Sequence, residues 1–365
     1  MKTPKLLWDW GTAYDLFISL GALYQPEEFG LRGSWAAGVR ARIPARERKT
    51  LEQSQWLGKA PMHWIHRLPD PKDGLTALWA LRQLPAAARL ATLALGPDPA
   101  ATPEAVETLE SVAARGSWNQ QDLEVLTVGY QPDCKTRKGS RRHEEKLARI
   151  LDLWSHAEEF GERYLEALGA YHQVFFAEDE ERIRPALQAA LARGRELARR
   201  LSLPELLEEL SKGLRFEDVP DIAEVVLTPS YWSTHLVTFG KVGPGREMWL
   251  FGARPPNASL VPGQVVPDAL LETLKALADP TRLRILRYLS EEPASAAELA
   301  RRVRLRLPTV AHHLDILRRA GLVQRTIDMG TDRATKHYGA RPQAIASICD
   351  SLKGFLHIAE IDSSD

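Results

Sequence analysis

The sequence predicts a mainly α protein with small β elements, and three observations predict it. Apolar residues three and four positions apart recur through most of residues 1–220, which is the period of amphipathic helices. Residues 221–252 are rich in β-branched and aromatic side chains and contain a Gly-Pro-Gly break, which favours strands. Residues 267–341 show the pattern of short helices, a tight turn and a hairpin. We therefore predict a helical N-terminal domain, a short β segment and a C-terminal winged helix-turn-helix.

The N-terminal elements are one short strand, at residues 5–10, followed by helices that Pro and Gly residues separate. The expected helices cover residues 14–23, 34–43, 45–57, 76–95 with a break at Pro85, 103–114 and 120–127. Residues 144–210 are rich in Ala, Leu, Glu and Arg, which predicts two or three long helices. The stretch KTRKGSRRH, residues 135–143, is predicted as an exposed basic loop.

The β segment is expected to hold two or three strands with hairpin turns, one of them at Gly243–Gly245. Four prolines and a glycine in residues 254–267 predict a linker into the C-terminal part.

The C-terminal pattern begins with a helix whose stripe includes Leu271, Leu274 and Leu277. Pro280 suits the first turn of the next helix. Ser295 is expected to cap a third helix, Ala296–Val303, with Glu298 as its capping-box partner.

The fourth helix, Pro308–Ala320, is expected to follow the short turn Arg304–Leu307 and to end at Gly321, a C′ position that favours glycine. The spacing of Val310, Leu314 and Leu317 turns those residues to the core. It turns Thr309 and His312 outward and leaves His313 at the boundary.

A helix of this kind reads base edges with residues near its N-terminus, and a basic hairpin beside it contacts phosphates. The predicted DNA-binding residues are Arg306, Thr309, His312 and His313 for base readout, and Arg318, Arg325, Arg333 and Lys336 for phosphate or hairpin contacts. For each hairpin cation, a solvated two-stranded ribbon is the alternative.

The distribution of charge and the cysteine content indicate which kinds of protein this sequence fits. The formal net charge is zero, but residues 267–341 hold 14 Lys/Arg against 9 Asp/Glu, so the positive charge coincides with the predicted DNA-binding part. The two cysteines, Cys134 and Cys349, cannot form a disulfide framework or a four-Cys metal site within one chain, which suits a reducing cytoplasm. No apolar run approaches the roughly 20 residues of a membrane span.

Three segments, LKALADPTRLRILRYL, ELARRV and LPTVAHHLDILRRAGLV, resemble the winged helix-turn-helix of the ArsR family of bacterial and archaeal transcriptional regulators. The resemblance covers about residues 267–341. It implies a homodimer, paired through helices flanking the winged helix, that reads pseudo-palindromic DNA and often releases it when an effector binds. DLFISLGALYQPEEFG, SWAAGVRARI and VVLTPSYW are similar to the large N-terminal domain of some longer ArsR-like regulators, whose ligand the resemblance does not supply.

Two departures from that family matter. Family members commonly have Ser-Gln before the Pro-Thr of the recognition helix, whereas Arg306 and Leu307 stand here, so a weak helix cap is expected. The segment SAAELARRV lacks the Cys-x-Cys of the family's metal sensors, so no metal role is carried over.

The sequence signals for metal binding, redox chemistry and catalysis are weaker than those for DNA binding. His63 and His66 have a spacing that two metal ligands can share, but two ordinary half-buried histidines are the favoured interpretation. His357 and Glu360 lack the preceding Asp-x-His of relatives that bind zinc between subunits. Cys349 is either a small buried hydrophobe, the favoured interpretation, or a redox-sensitive thiol. No GxGxxG, Walker A, GxSxG or HExxH motif occurs, so no cofactor and no enzyme activity are expected.

These observations predict four parts: a helical regulatory domain (1–220), a β segment and linker (221–266), a winged helix-turn-helix DNA-binding domain (267–341) and a dimerisation helix (342–365). The expected function is a homodimeric transcriptional regulator that binds double-stranded DNA under control of an unknown small-molecule or protein effector. The alternative is an enzyme or protein-docking module tethered to DNA.

Overall fold

The computed structural model describes residues 4–29, 31–55, 60–97, 102–129, 137–211, 214–216, 222–233, 238–255, 258–260, 267–327 and 337–356. The fold is mainly helical with two four-stranded sheets in this part of the chain, as the sequence predicts. None of the described helices is long and apolar enough to cross a membrane.

The N-terminal helices follow the predicted order, except that the short helix α4 lies in a segment for which no helix was predicted. They are α1 Thr12–Tyr24, α2 Gly33–Arg42, α3 Ala45–Ser54, α4 Met62–Ile65, α5 Gly74–Gln83, α6 Ala86–Ala94, α7 Pro103–Arg115, α8 Gln120–Gly129, α9 Arg137–Ser155, α10 Ala157–Tyr171, α11 Ala177–Leu197 and α12 Leu203–Leu210. A 3-10 turn, Pro26–Phe29, follows α1, and a π-helical turn, His172–Phe176, joins α10 to α11.

The prediction of a basic loop at residues 135–143 is wrong for residues 137–143, which form the first turns of α9. Lys and Arg are good helix formers, and one interior glycine, Gly139, costs a helix only about 1 kcal/mol. The start of α9 therefore tolerates the residue that suggested a loop.

The strands are β1 Lys5–Trp8, β2 Leu214–Phe216, β3 Glu224–Ser230, β4 Thr238–Gly243, β5 Arg246–Gly252, β6 Ala294–Ser295, β7 Val323–Ile327 and β8 His337–Ala340. The first sheet has the order β1-β3-β5-β4, with β1, β3 and β5 parallel and β4 antiparallel to β5. The predicted hairpin at Gly243–Gly245 is confirmed, and Gly245 has the positive φ of 62° that its turn requires. The connection from β3 to β4 is not a hairpin, because β5 lies between those strands.

Strand β1 joins the start of the chain to the later β segment. Lys5 is in register with Glu224 and Trp8 with Leu227, so the strand predicted at the N-terminus pairs with the later β segment. Residues before α1 and after α12 thus share one sheet.

The C-terminal helices are α13 Asp268–Leu277, α14 Pro280–Glu291, α15 Ala296–Val303, α16 Leu307–Arg319 and α17 Pro342–Leu356. Their core, which includes Ile285, Leu299 and Leu314, is a cluster separate from the larger N-terminal core. The second sheet, β2-β7-β8-β6, lies against these helices and takes one strand, β2, from the N-terminal region.

Candidate nucleic-acid interface

The start of α15 is fixed by the predicted capping box, which the structure confirms. The Ser295 hydroxyl accepts a hydrogen bond from the Glu298 N–H at 3.3 Å, and the Glu298 carboxylate accepts one from the Ser295 N–H at 2.7 Å. Arg304 ends the helix with a φ of 57°, a left-handed conformation that is rare for residues other than glycine. This sharp end directs the chain into α16 within three residues.

The predicted inward face of α16 is confirmed. Val310, Leu314 and Leu317 are each 0% exposed. Thr309 and His312 are exposed on the same helix. A buried stripe of this width orients the helix and leaves the opposite face of its N-terminal half to solvent.

Arg306 is the N-cap residue of α16 and is exposed. Its side chain makes no capping hydrogen bond, in agreement with the weak cap that the sequence predicts. The guanidinium is therefore not used to start the helix.

His313 lies at the boundary of α16, as predicted, and is half-buried. Its Nδ1 is buried and has no hydrogen-bond partner among the described residues. The Asp279 carboxylate caps α14 by accepting from the Arg282 N–H at 2.9 Å, and this hydrogen bond lowers the pKa of Asp279. The His313 ring lies beside that of His312, with 6.3 Å between the two ring centroids.

The two basic residues predicted to contact phosphates in the described part, Arg318 and Arg325, are partly buried. Arg318 is only 17% exposed, and its Nη2 donates to Asp315 Oδ1 at 3.0 Å. Arg319 bonds the other oxygen of the same carboxylate at 2.8 Å. Burial lowers the pKa of Arg325, opposed by the neighbouring Tyr338. The i, i+3 and i, i+4 spacing from Asp315 was visible in the sequence, although the prediction did not use it.

Arg333 and Lys336, the predicted cations of the hairpin tip, lie outside the described residues, as do His357 and Glu360. The hairpin arms β7 and β8 are paired antiparallel from Val323–Ala340 to Thr326–His337.

Arg341 is a structural residue that sequence reasoning missed. Its Nη1 donates to the carbonyl of Gly321 at 3.1 Å, where Gly321 has the predicted positive φ of 71°. Arg341 therefore joins the end of α16 to the start of α17.

Polar side chains are also buried in the N-terminal region. The Asp9 carboxylate accepts hydrogen bonds from Tyr14, His66 and Lys72 at 2.9, 2.7 and 2.6 Å. Burial opposes ionisation of Asp9, but these three donors outweigh it and lower its pKa.

His63 has a different environment from His66, because it bonds the Thr92 carbonyl at 3.0 Å. His63 and His66 thus have different partners, and in the described part of the chain no group of His, Cys, Asp or Glu side chains has the arrangement of a metal site.

A second network holds α11 to the rest of the N-terminal region. Glu180 accepts from the Gly74 N–H at 2.9 Å, from the Thr12 hydroxyl, and pairs with His172 at 3.3 Å. Asp179 accepts from the Trp232 indole at 2.6 Å. Each carboxylate has donors on other elements, so the network joins helices to the sheet.

Cys349 is exposed on α17, so the favoured expectation that it is buried is wrong.

Comparison with known proteins adds to this geometry. Residues 277–326 match the family model described as a helix-turn-helix domain. A 54-residue stretch is 41% identical to an uncharacterized HTH-type transcriptional regulator of Methanocaldococcus jannaschii; it covers 14% of this chain and 61% of that protein. The crystal structure of NolR from Sinorhizobium fredii matches 25% of this chain and 88% of that chain, with 28% identity and a TM-score of 0.20.

The chain therefore spans less than two thirds of the length of this curated relative. The family match covers α14, α15 and α16, the elements whose caps, turn and buried stripe are described above. Residues 277–326 are a helix-turn-helix domain.

Proposed function

We propose that this protein is a sequence-specific transcriptional regulator of the ArsR type, which binds double-stranded DNA through a winged helix-turn-helix. The observation that carries the proposal is the exposed N-terminal half of α16, with Arg306, Thr309 and His312 on a helix whose other face is fully buried. A recognition helix needs a rigid inner face and free polar side chains near its N-terminus, because those side chains reach into the major groove.

Arg306 and His312 are assigned to base readout with Thr309, and the β7–β8 hairpin is assigned the role of the wing. An Arg side chain can make two hydrogen bonds to guanine, which is the commonest base-specific contact. Arg318, Arg325, Arg333 and Lys336 are proposed to act on phosphates, and His313 to support the helix from behind. To contact phosphates, Arg318 and Arg325 must leave the side chains with which they interact in this structure.

The active form is proposed to be a homodimer that binds a pseudo-palindromic operator in the cytoplasm. On α17, Ile345 and Ile348 pack partly on the C-terminal core, whereas Leu352 and Phe355 are half-exposed and Leu356 is 52% exposed. These three residues continue the apolar face beyond the core, as a helix that pairs with a second copy requires.

The N-terminal region is proposed to bind a small-molecule or protein effector that changes the spacing of the two recognition helices. The buried carboxylates of this region have donors on several elements, which supports a structural role for them over the alternative of a tethered enzyme. A screen for metabolites that raise the melting temperature, beside a pull-down of partner proteins, separates a ligand sensor from a docking module.

The proposal is tested by selecting bound duplexes from a random library with the full-length chain. The expected result is an enriched palindrome with half-sites about one DNA turn apart. Arg306→Ala and His312→Ala should each weaken binding to it by about 1–3 kcal/mol. Arg199→Ala, on an exposed side chain of the N-terminal region, is the control and should bind like the wild type.

Circular dichroism should show that both variants keep the wild-type fold. Normal affinity in both would remove the readout assignment. Failure to enrich any duplex would contradict the proposed function as a whole.

A further inference from the structure

The second sheet contains a strand that does not belong to the helix-turn-helix domain. Strand β2 pairs in parallel with β7, with Leu214 opposite Arg325 and Phe216 opposite Ile327. The strand precedes β7 by more than a hundred residues and follows α12 directly. The N-terminal region thus supplies the edge strand of the sheet to which the hairpin belongs.

Helix α12 is itself held by the N-terminal sheet. Its buried residues Leu206, Leu207 and Leu210 belong to one apolar cluster with Trp249 and Phe251 of β5. Three residues separate α12 from β2, a length that spans at most about 14 Å. A shift of α12 relative to the C-terminal domain must therefore move or detach β2.

One electrostatic interaction and one hydrogen bond also join the same parts. Burial lowers the pKa of Arg341, and the charges of Glu209 and Glu208 on α12 oppose this effect. Arg319 donates from Nη1 to the carbonyl of Glu28 in the 3-10 turn at 3.5 Å. Arg319 is the last residue of α16, so the N-terminal region contacts the C-terminal end of this helix as well as β7.

We propose that α12 and β2 form the transmission element of the protein: docking of β2 on β7 holds the hairpin and the end of α16 in the arrangement that binds DNA. The inference rests on the proposed DNA binding and adds the route by which the N-terminal region controls it. The docked state leaves Arg306, Thr309 and His312 exposed, so docking does not block them. A hairpin fixed before binding loses less conformational entropy on DNA, so the docked state binds more tightly.

The first test uses two neighbouring proline substitutions, Arg215→Pro and Phe216→Pro. Adjacent N–H groups of a strand point to opposite sides, and proline is tolerated where the N–H of an edge strand faces solvent. One of the two substitutions therefore removes a hydrogen bond to β7, and the other is its matched control. Hydrogen exchange of residues 324–327 identifies which variant is undocked.

The undocked variant should bind the duplex enriched by the wild type about tenfold more weakly, a typical size for a coupling of this kind. The control variant should keep both the protection of β7 and the affinity. If β7 loses protection while the affinity is unchanged or increased, the proposed coupling is wrong. If the wild type enriches no duplex, the proposed function fails first, which is a separate result.

A second test fixes the docked state and does not depend on the proline variants folding. Arg215 and Thr326 are opposite each other in the register, so cysteines at these two positions can be cross-linked in a Cys134→Ser, Cys349→Ser background. The oxidised protein should bind the duplex as tightly as the wild type, with the reduced protein as its own control. A tenfold or greater loss on oxidation would overturn the inference that the docked state is the DNA-binding state.

Discussion

Asp15 is a residue of α1 whose carboxyl group has no exposure to solvent and contacts the end of β3. It accepts hydrogen bonds from the Ser230 hydroxyl at 2.7 Å and from the N–H groups of Trp232 and Tyr231 at 2.8 and 3.2 Å. Burial, the largest effect, and the nearby Asp179 raise its pKa to about 7, although the three donors oppose the shift. The folded protein therefore binds a proton at this site over a pH range in which the unfolded chain has lost it.

We predict that Asp15 makes the free energy of unfolding depend on pH. Because its folded pKa is raised, its stabilising contribution is complete below the ordinary value of 3.8 and is lost as the pH rises through about 7. The slope in this window is at most about 1.4 kcal/mol per pH unit. Asp15→Asn should lower stability, because its amide N–H₂ would face backbone donors, and should remove this part of the slope.

Urea unfolding of the wild type and Asp15→Asn at several pH values checks this expectation. Equal pH dependence in the two proteins between about pH 4 and pH 7 would contradict it. Ser351→Ala, an exposed position far along the chain on α17, controls for the effect of a substitution as such.

At the scale of elements, α17 combines a covered and an uncovered segment on one face. Ile345 and Ile348 pack on the C-terminal core, and Leu352, Phe355 and Leu356 extend past it. The sequence predicts this helix, which the structure places at Pro342–Leu356. The helical period does not show which part of this face is covered within one chain. That depends on where the neighbouring elements, α13 and the hairpin, end.

We predict that Phe355→Asp converts the proposed dimer into a monomer. A charge in an apolar interface costs several kcal/mol unless it is paired, whereas in the monomer the side chain can reach solvent. Light scattering after size exclusion should give the variant half the mass of the wild type. Circular dichroism should show that its helix content is unchanged. Ser351→Asp, on the exposed face, should remain dimeric; a monomeric wild type would refute the assignment of this face.

At the scale of the whole molecule, the described residues form separate apolar cores. Leu151 is fully buried in the large N-terminal cluster and Leu314 in the C-terminal one. All ten tryptophans lie between Trp8 and Trp249, so their fluorescence reports only the N-terminal region. Tryptophan fluorescence therefore reports the unfolding of the N-terminal region and not that of the C-terminal domain.

We predict that Leu314→Ala lowers the stability of the C-terminal domain by about 2–5 kcal/mol, the usual cost of such a cavity. Tryptophan fluorescence should show an unchanged unfolding transition, and hydrogen exchange of α14 and α16 should accelerate. Leu151→Ala is the matched variant and should shift the fluorescence transition instead. A fluorescence transition that moves equally in both variants would mean that the two cores unfold as one unit.

The sequence by itself determined the features that depend on near neighbours in the chain. The capping box of Ser295 and Glu298, the buried stripe of α16 and the positive φ of Gly321 follow from spacings of three or four residues and from local backbone sterics. The same local rules predicted the helical N-terminal region and the hairpin at Gly245.

Only the tertiary structure decided which distant segments meet. The pairings of β1 with β3 and of β2 with β7 join residues that are far apart in the sequence, and no local pattern specifies the partner of an edge strand. Burial of Asp15, Arg318 and Arg325 likewise depends on packing between elements. The helix-turn-helix domain could thus be found from sequence, whereas its contact with the N-terminal region could not, because that contact is made by groups whose proximity exists only in the folded chain.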